Sequence, residues 1–213
     1  MAVAAACATG ARAEVLTFDG PICAGVCSNY GYIDANYGSV AGQVAVSYYH
    51  DITGGSPGNQ LQWWDNAYSD LTDVAWGSNT DVAGTPAIFL QPLGGQSVTL
   101  NGFDIGAWPN VDRTTQVTVV DGLGNTLYSS GLITISGATA THFAFNLTSS
   151  TGIGIEWGPS GYNVGIDNVA FNVGAGGVPE PAAWAMLVLG VGLTGGLLRL
   201  RAREAKAPRT AAV

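Results

Sequence analysis

The 213-residue sequence predicts an all-β protein, an antiparallel β-sandwich followed by one C-terminal transmembrane helix. Three observations predict this fold class. The chain contains 31 glycines, which favour frequent turns. Short runs alternate apolar and polar residues, as strands with one buried face do. Near the C-terminus a long uncharged run precedes a cluster of arginines, and no window of a dozen residues outside that run shows helical periodicity.

Residues 14–173 carry the strand patterns. The segment "VLTF" opens the set and "VGIDNVAFNV" closes it. Two segments, "THFAFNL" and "GIGIEWG", alternate most plainly. The residues that share one face in each are Phe143, Phe145 and Leu147 in the first, and Ile153, Ile155 and Trp157 in the second. We therefore expect these residues to face the core.

Turn residues divide the remaining strands. The segment "TQVTVVDGLGNTLYSSG" predicts a hairpin with its turn at 121–125. The segment "PAIFLQPLGGQSVTLNGFDIGAW" predicts two more strands on either side of 92–95. Seven to nine short strands at this spacing favour an antiparallel, jelly-roll-like sandwich, and about 160 residues can bury one core of that type.

The charged residues are few and unevenly placed. They make up 10% of the chain, and Arg113 is the only basic residue between residues 14 and 178, against thirteen acids. Such an acidic body repels phosphate backbones, so nucleic acid is excluded as a partner. It suits cations, neutral sugars or a role as a soluble matrix component.

The N-terminus, "MAVAAACATGARAEVLTF", predicts export. Its small residues end in Ala11-Arg12-Ala13, which has the form of a signal-peptidase site before Glu14. We expect residues 1–13 to be a signal peptide, shortened at its start because a basic n-region is missing. The alternative is a disordered alanine-rich leader.

The cysteines agree with an exported chain. Cys7 would leave with the signal peptide, and Cys23 and Cys27 would then form a disulfide that fixes a local turn. A zinc site would need two further ligands, and the only histidines, His50 and His142, fall in separate strand-like segments. We expect no required cofactor.

The C-terminal run predicts a membrane span. Residues 182–198 carry no charge, and a helix of that length covers roughly 25 Å, the short end of a bilayer span. Arg199, Arg201 and Arg203 follow as a positive-inside stop. The prediction places the body outside the membrane and residues 204–213 in the cytoplasm, with lipid as a partner. A buried core helix is the alternative.

The segment before this span resembles a known sorting signal. Val178-Pro179-Glu180-Pro181, the apolar span and the arginines together resemble the PEP-CTERM signal of Gram-negative bacteria over residues 178–203. The same tail family is also labelled "ice-binding protein C-terminal", a label that describes the tail alone. The prolines would keep the junction extended, and Glu180 would supply its only charge for recognition. Residues 174–177 would be a glycine-rich linker to this signal.

The resemblance implies a route and a setting for the protein. An exosortase, a membrane-embedded cysteine transpeptidase-like enzyme, would recognise the signal and remove the span. The chain would be anchored in the inner membrane first and would then reach the cell surface. Proteins of this kind occur with exopolysaccharide and biofilm machinery, so exosortase and exopolysaccharide are the expected partners.

The body resembles the jelly-roll ectodomains of PEP-CTERM proteins, which are similar to galactose-binding and carbohydrate-binding modules. The segments that carry this resemblance are "LTFDG", "FLQPLGGQSVTLNGFDIGAW" and "GIDNVAF". In such modules the first and last strands lie close and often share a calcium ion. Asp19 and Asp167 would then supply oxygen ligands to structural calcium. The alternative is that Asp19 caps a turn and Asp167 accepts backbone N–H groups.

Aromatic residues suggest a sugar site, because the apolar face of a pyranose ring can stack on tryptophan. The candidate residues are Trp63, Trp64, Trp76 and Trp108. Adjacent residues of a strand point to opposite faces, so at most one of Trp63 and Trp64 would meet a ligand. Core packing is the alternative for each of them.

Catalytic motifs are weak. Residues 54–58 match G-x-S-x-G, but Pro57 follows the serine and has no N–H to donate to an oxyanion. The thirteen acids show no spacing that selects a catalytic pair. We therefore expect a non-enzymatic surface or matrix protein that binds carbohydrate. The alternatives are a secreted polysaccharide hydrolase and a purely structural floc component.

Overall fold

The computed structural model describes residues 12–52, 58–77 and 84–175. This part of the chain contains twelve strands and no helix. The strands are β1 (Arg12–Leu16), β2 (Val44–Asp51), β3 (Gly58–Asn59), β4 (Gln62–Trp64), β5 (Val74–Trp76), β6 (Ala87–Pro92), β7 (Gln96–Ala107), β8 (Arg113–Asp121), β9 (Thr126–Ile135), β10 (Thr141–Ser149), β11 (Ile153–Gly158) and β12 (Val164–Ala175). They form two antiparallel sheets, which confirms the predicted β-sandwich.

The two sheets have different strand orders. Sheet I has the order β10–β7–β12–β5–β4, and β1 also pairs with β12. Sheet II has the order β3–β2–β6–β11–β8–β9. The pairing of β1 with β12, from Arg12–Val173 to Leu16–Val169, brings the first and last strands together.

The core lies between the sheets and is built by the predicted alternation. Ile153, Ile155 and Trp157 are fully buried in it. The indole N–H of Trp157 donates a hydrogen bond to the Val164 carbonyl at 2.9 Å, which joins sheet II to sheet I. From the other predicted face, Phe143 is buried in the core, and Phe145 and Leu147 pack against it. Alternation therefore identified the buried faces of β10 and β11.

The predicted hairpin is also present. Strands β8 and β9 pair in antiparallel register around the turn at 121–125. The Asp121 carboxylate accepts hydrogen bonds from Leu123 N at 2.9 Å and Asn125 N at 2.8 Å. The side chain and backbone of Asn125 are the main causes of the lowered pKa of Asp121. Gly124 has a φ of +84°, which favours glycine at this position.

The strand count exceeds the seven to nine predicted from the sequence. The additional strands are β3, β4 and β5, which are two or three residues long and lie in a polar, turn-rich segment. A period of two residues cannot be recognised over such a length. β12 also continues through Gly174 and Ala175, the first residues of the predicted linker, because both pair with β7.

The predicted signal peptide and sorting signal lie at the two ends of the chain. β1 begins at Arg12, ahead of the expected mature start at Glu14. The first compact unit of the chain ends at Gly176, and the second is 177–213, all outside the described ranges. In those ranges we find no helix with the length and apolarity needed to cross a bilayer. The predicted span at 182–198 lies outside them.

Candidate functional site

A loop at 65–73, between β4 and β5, covers part of the outer face of sheet I. Tyr68 of this loop lies on Gly106 and Gly165, which leave room for it on β7 and β12. A Cβ atom on Gly106 would stand 2.3 Å from the Tyr68 carbonyl oxygen, and one on Gly165 would stand 2.9 Å from the Tyr68 ring. The Tyr68 hydroxyl donates to the Tyr162 carbonyl at 2.8 Å. The two glycines therefore allow the loop to pack flat on the sheet.

Beside this loop five aromatic rings form a group that we call the aromatic cluster. Its members are Tyr30, Trp64, Trp76, Trp108 and Tyr162. Contacting rings have centroids 5.0 to 6.3 Å apart and meet edge to face. This is the arrangement that aromatic quadrupoles favour. The structure thus brings three of the four predicted tryptophans together.

Trp76 is the centre of the aromatic cluster and is only 1% exposed. Its indole N–H and that of Trp64 are buried without a hydrogen-bond acceptor in the described part of the chain. In edge-to-face packing an indole N–H can contact the π face of a neighbouring ring in place of an acceptor. Trp76 therefore supports the other rings and cannot itself meet a ligand.

Trp63 and Trp64 point to opposite faces of β4, as strand alternation requires. Trp63 packs against the main core, and its indole N–H donates to the Phe18 carbonyl at 3.1 Å. Trp64 lies on the opposite face of β4 in the aromatic cluster. Trp108 is partly exposed, and Tyr30, at 50%, is the most exposed ring of the cluster. Sequence reasoning missed Tyr30 because it comes from a loop with no strand pattern.

Acidic residues lie on the same sheet. Asp104 on β7 and Asp167 on β12 are directly paired in register. His142 Nδ1 and Asp104 Oδ1 are 2.6 Å apart, and the Asn168 side-chain amide donates to Asp104 Oδ2 at 2.9 Å. The Asp167 carboxylate accepts a hydrogen bond from the backbone N–H of Asn168 at 2.6 Å. This is the role that the alternative to calcium binding predicted for Asp167.

Asp167 is only 6% exposed, and its surroundings raise its pKa to about 7. Burial is the main cause, the Asn168 N–H opposes it, and the charges of Asp19, Asp104 and Asp73 add to it. Burial and then the charge of Asp19 also raise the pKa of Asp73. Asp19 and Asp167 thus lie in one electrostatic environment, together with Asp73 and Asp104, which sequence reasoning missed.

We call Asp19, Asp73, Asp104 and Asp167 the acidic group, and it includes both residues predicted to bind calcium. Mutual repulsion among its carboxylates would be relieved by a cation, and carboxylate oxygens are the ligands that calcium prefers. Among the described residues, no three His, Cys, Asp or Glu side chains are close enough together to hold a metal ion. Calcium binding by Asp19 and Asp167 stays a prediction.

The structure joins Cys23 and Cys27 in a disulfide, with their Cα atoms 5.2 Å apart. Other predicted residues lie outside the described ranges. They are the sorting motif Val178, Pro179, Glu180 and Pro181, the stop-transfer residues Arg199, Arg201 and Arg203, and the serine of the G-x-S-x-G match.

Comparison with known proteins gives no assignment. No protein-family model matches the chain. A search of curated proteins returns no significant match.

Proposed function

We propose that this chain is an exported, non-enzymatic surface or matrix protein, sorted through its PEP-CTERM-like tail, whose jelly-roll-like sandwich binds exopolysaccharide. The order of the segments supports the sorting. The last strand ends at Ala175, and Val178-Pro179-Glu180-Pro181 follows almost at once. The apolar run at 182–198 and the arginines come next, in the order that an exosortase substrate requires.

The exposed rim of the aromatic cluster carries the carbohydrate proposal. Tyr30, Trp64 and Trp108 remain partly exposed. The buried Trp76 contacts the rings of Tyr30 and Trp64, and Trp64 in turn contacts Trp108. Rings fixed in this way lose little entropy when a sugar face stacks on them. Asp65 and Asn29 lie next to Trp64 and Tyr30 in the chain, and their side chains hydrogen-bond at 3.1 Å. These polar groups border the rim.

The charge of the body favours a neutral ligand. Arg113 is the only basic residue between residues 14 and 178, and its guanidinium Nε donates to the Trp108 carbonyl at 2.7 Å. An anionic polymer would be repelled by the thirteen acids of this stretch, whereas the hydroxyl groups of a neutral sugar would find many acceptors. We therefore assign a neutral, hydroxyl-rich polysaccharide as the ligand class.

The sorting proposal is tested at Glu180. In cells of the producing bacterium, Glu180→Ala should leave the protein in the inner membrane with its tail intact. Glu204→Ala is the matched control, because it removes the same charge beyond the apolar run. Normal release of the Glu180→Ala protein would contradict sorting through this motif.

The binding proposal is tested with the protein that cells release. We expect it to be retained on an affinity gel that carries the bacterium's own exopolysaccharide, and to create no new reducing ends. The Trp64→Ala/Trp108→Ala variant should bind more weakly. Release of new reducing ends would establish the hydrolase alternative, and the absence of retention would leave a purely structural component.

A further inference from the structure

The outer face of sheet II presents a row of side chains from five strands. Tyr49, Ala87, Glu156, Thr118 and Ser129 are consecutive register partners across β2, β6, β11, β8 and β9. In each of these strands at least one residue next to the row lies in the core or packs against it. Alternation therefore turns the whole row away from the core.

A recess of about 220 Å³ lies at the centre of this row. Its lining consists of Thr85, Gln116, Thr118, Glu156, Gly158 and Pro159. A Cβ atom on Gly158 would stand 2.5 Å from the Thr85 hydroxyl oxygen, so the glycine permits this close lining. The volume is below the 300–1,000 Å³ or so of a typical small-molecule site, which fits one ring of a longer chain.

Glu156 is the unusual residue of the recess. It is partly buried, and its carboxylate makes no hydrogen bond or ion pair that we find in the described part of the chain. Burial alone raises its pKa. A half-buried carboxylate without a protein partner loses part of its hydration, and an external hydrogen-bond donor would replace the lost hydrogen bonds.

The neighbours of Glu156 also offer acceptors. The side-chain amide N–H groups of Gln116 donate to the Thr118 and Ser129 hydroxyl oxygens, both at 3.2 Å. The carbonyl oxygen of Gln116 is then left to accept. The oxygens of Glu156 and Gln116 would accept hydrogen bonds from a ligand, and the hydroxyl groups of a sugar can donate them.

An apolar surface lies beside these acceptors. Tyr49 and Phe89 meet edge to face with centroids 5.6 Å apart. The Phe89 ring lies over Gly154, where a Cβ atom would stand 2.5 Å from it. Tyr49 also lines a second recess of about 260 Å³ with Ser47 and Gln60. Strands spaced by about 4.8 Å place β2 and β11 roughly 10 Å apart, so a chain laid across the strands would meet both recesses.

We propose that the outer face of sheet II is a second polysaccharide-binding surface, in which Glu156 accepts sugar hydroxyls and Tyr49 and Phe89 contact a sugar ring. This inference rests on the proposed function. With the aromatic cluster on sheet I, it makes the protein bivalent, with binding surfaces on opposite sides of the sandwich. A bivalent protein links two polymer chains and gains avidity from both sites.

Titration calorimetry tests the inference. The probe is a set of oligosaccharides made by partial acid hydrolysis of the bacterium's own exopolysaccharide, titrated into the full released protein. We expect two oligosaccharides per native protein. Glu156→Gln and Tyr49→Ala should each weaken one of the two sites by roughly tenfold or more. Asp121→Asn, a carboxylate-to-amide change in the turn between β8 and β9, should leave both sites unaltered.

The outcomes separate the two proposals. If Glu156→Gln and Tyr49→Ala bind like the native protein while Trp64→Ala/Trp108→Ala loses binding, the second surface is wrong and the proposed function stands. If the native protein binds no oligosaccharide, the proposed function itself fails. Thr118→Ala provides a further variant at the recess should Glu156→Gln not fold, and unchanged binding by it would also overturn the inference.

Discussion

The outer faces of the two sheets use their side chains differently. On sheet I the loop at 65–73 packs down, and the rings of the aromatic cluster mainly contact one another. On sheet II four of the five side chains in the row are polar and at least partly exposed, and the Glu156 carboxylate has no partner that we find among the described residues. Trp76 is the more obvious binding residue by type, yet it is 1% exposed. Residue type alone therefore does not show which side chains a ligand can reach.

The largest effect should come from the centre of the aromatic cluster. Trp76→Ala would leave a cavity beside the three rings that Trp76 contacts, and we expect it to lower the free energy of unfolding by about 3–5 kcal/mol. Trp108→Ala, at the partly exposed rim, should cost less. Urea denaturation measures both. Equal losses for the two variants would mean that the aromatic cluster has no buried centre.

The acidic group should make stability depend on pH. Folding raises the pKa of Asp167 to about 7. The folded state therefore binds this proton more tightly than the unfolded state does. The resulting stabilisation is complete below the pKa of the unfolded state and is lost as pH rises through about 7. We expect the native protein to be more stable at pH 5 than at pH 8, by roughly 2–4 kcal/mol.

Asp167→Asn should remove most of this difference, because it keeps the oxygen that accepts the Asn168 N–H but cannot ionise. Asp121→Asn is the control. The pKa of Asp121 is lowered in the folded state, so removing this carboxylate cannot reduce the loss of stability between pH 5 and pH 8. Denaturation at both pH values measures the change. An unaltered pH dependence in Asp167→Asn would assign the effect to other groups.

Calcium should act on the same group with a smaller effect. At pH 8 the carboxylates are ionised, and calcium at a hundred times its dissociation constant would stabilise the fold by about 2.7 kcal/mol. The increase in Tm should shrink at pH 5 and in Asp19→Asn, while magnesium should do less. A Tm that calcium leaves unchanged at pH 8 would exclude the site.

The smallest effect should come from the disulfide. Reduction should add the mass of a pair of hydrogen atoms, and the short loop between Cys23 and Cys27 limits the loss of stability to about 2 kcal/mol. Mass spectrometry before and after reduction, followed by thermal denaturation, measures both. An unchanged mass would mean that the thiols are free.

Local patterns predicted the sandwich well. Alternation identified the buried faces of β10 and β11, and turn chemistry identified the hairpin at 121–125, because both depend on neighbours in the chain. The aromatic cluster was only partly predictable, since Tyr30 and Tyr162 join it through long-range packing. Glu156 could not be singled out from the sequence, because a missing partner is visible only when the surrounding side chains are in place.

The two proposed binding surfaces would serve the cell only if the sandwich is displayed outside it and freed from its predicted anchor. The intact mass of the protein harvested from culture fluid tests this most directly. We predict a chain that begins after the signal peptide and ends before the apolar run at 182–198. A released chain that still ends at Val213 would contradict the account.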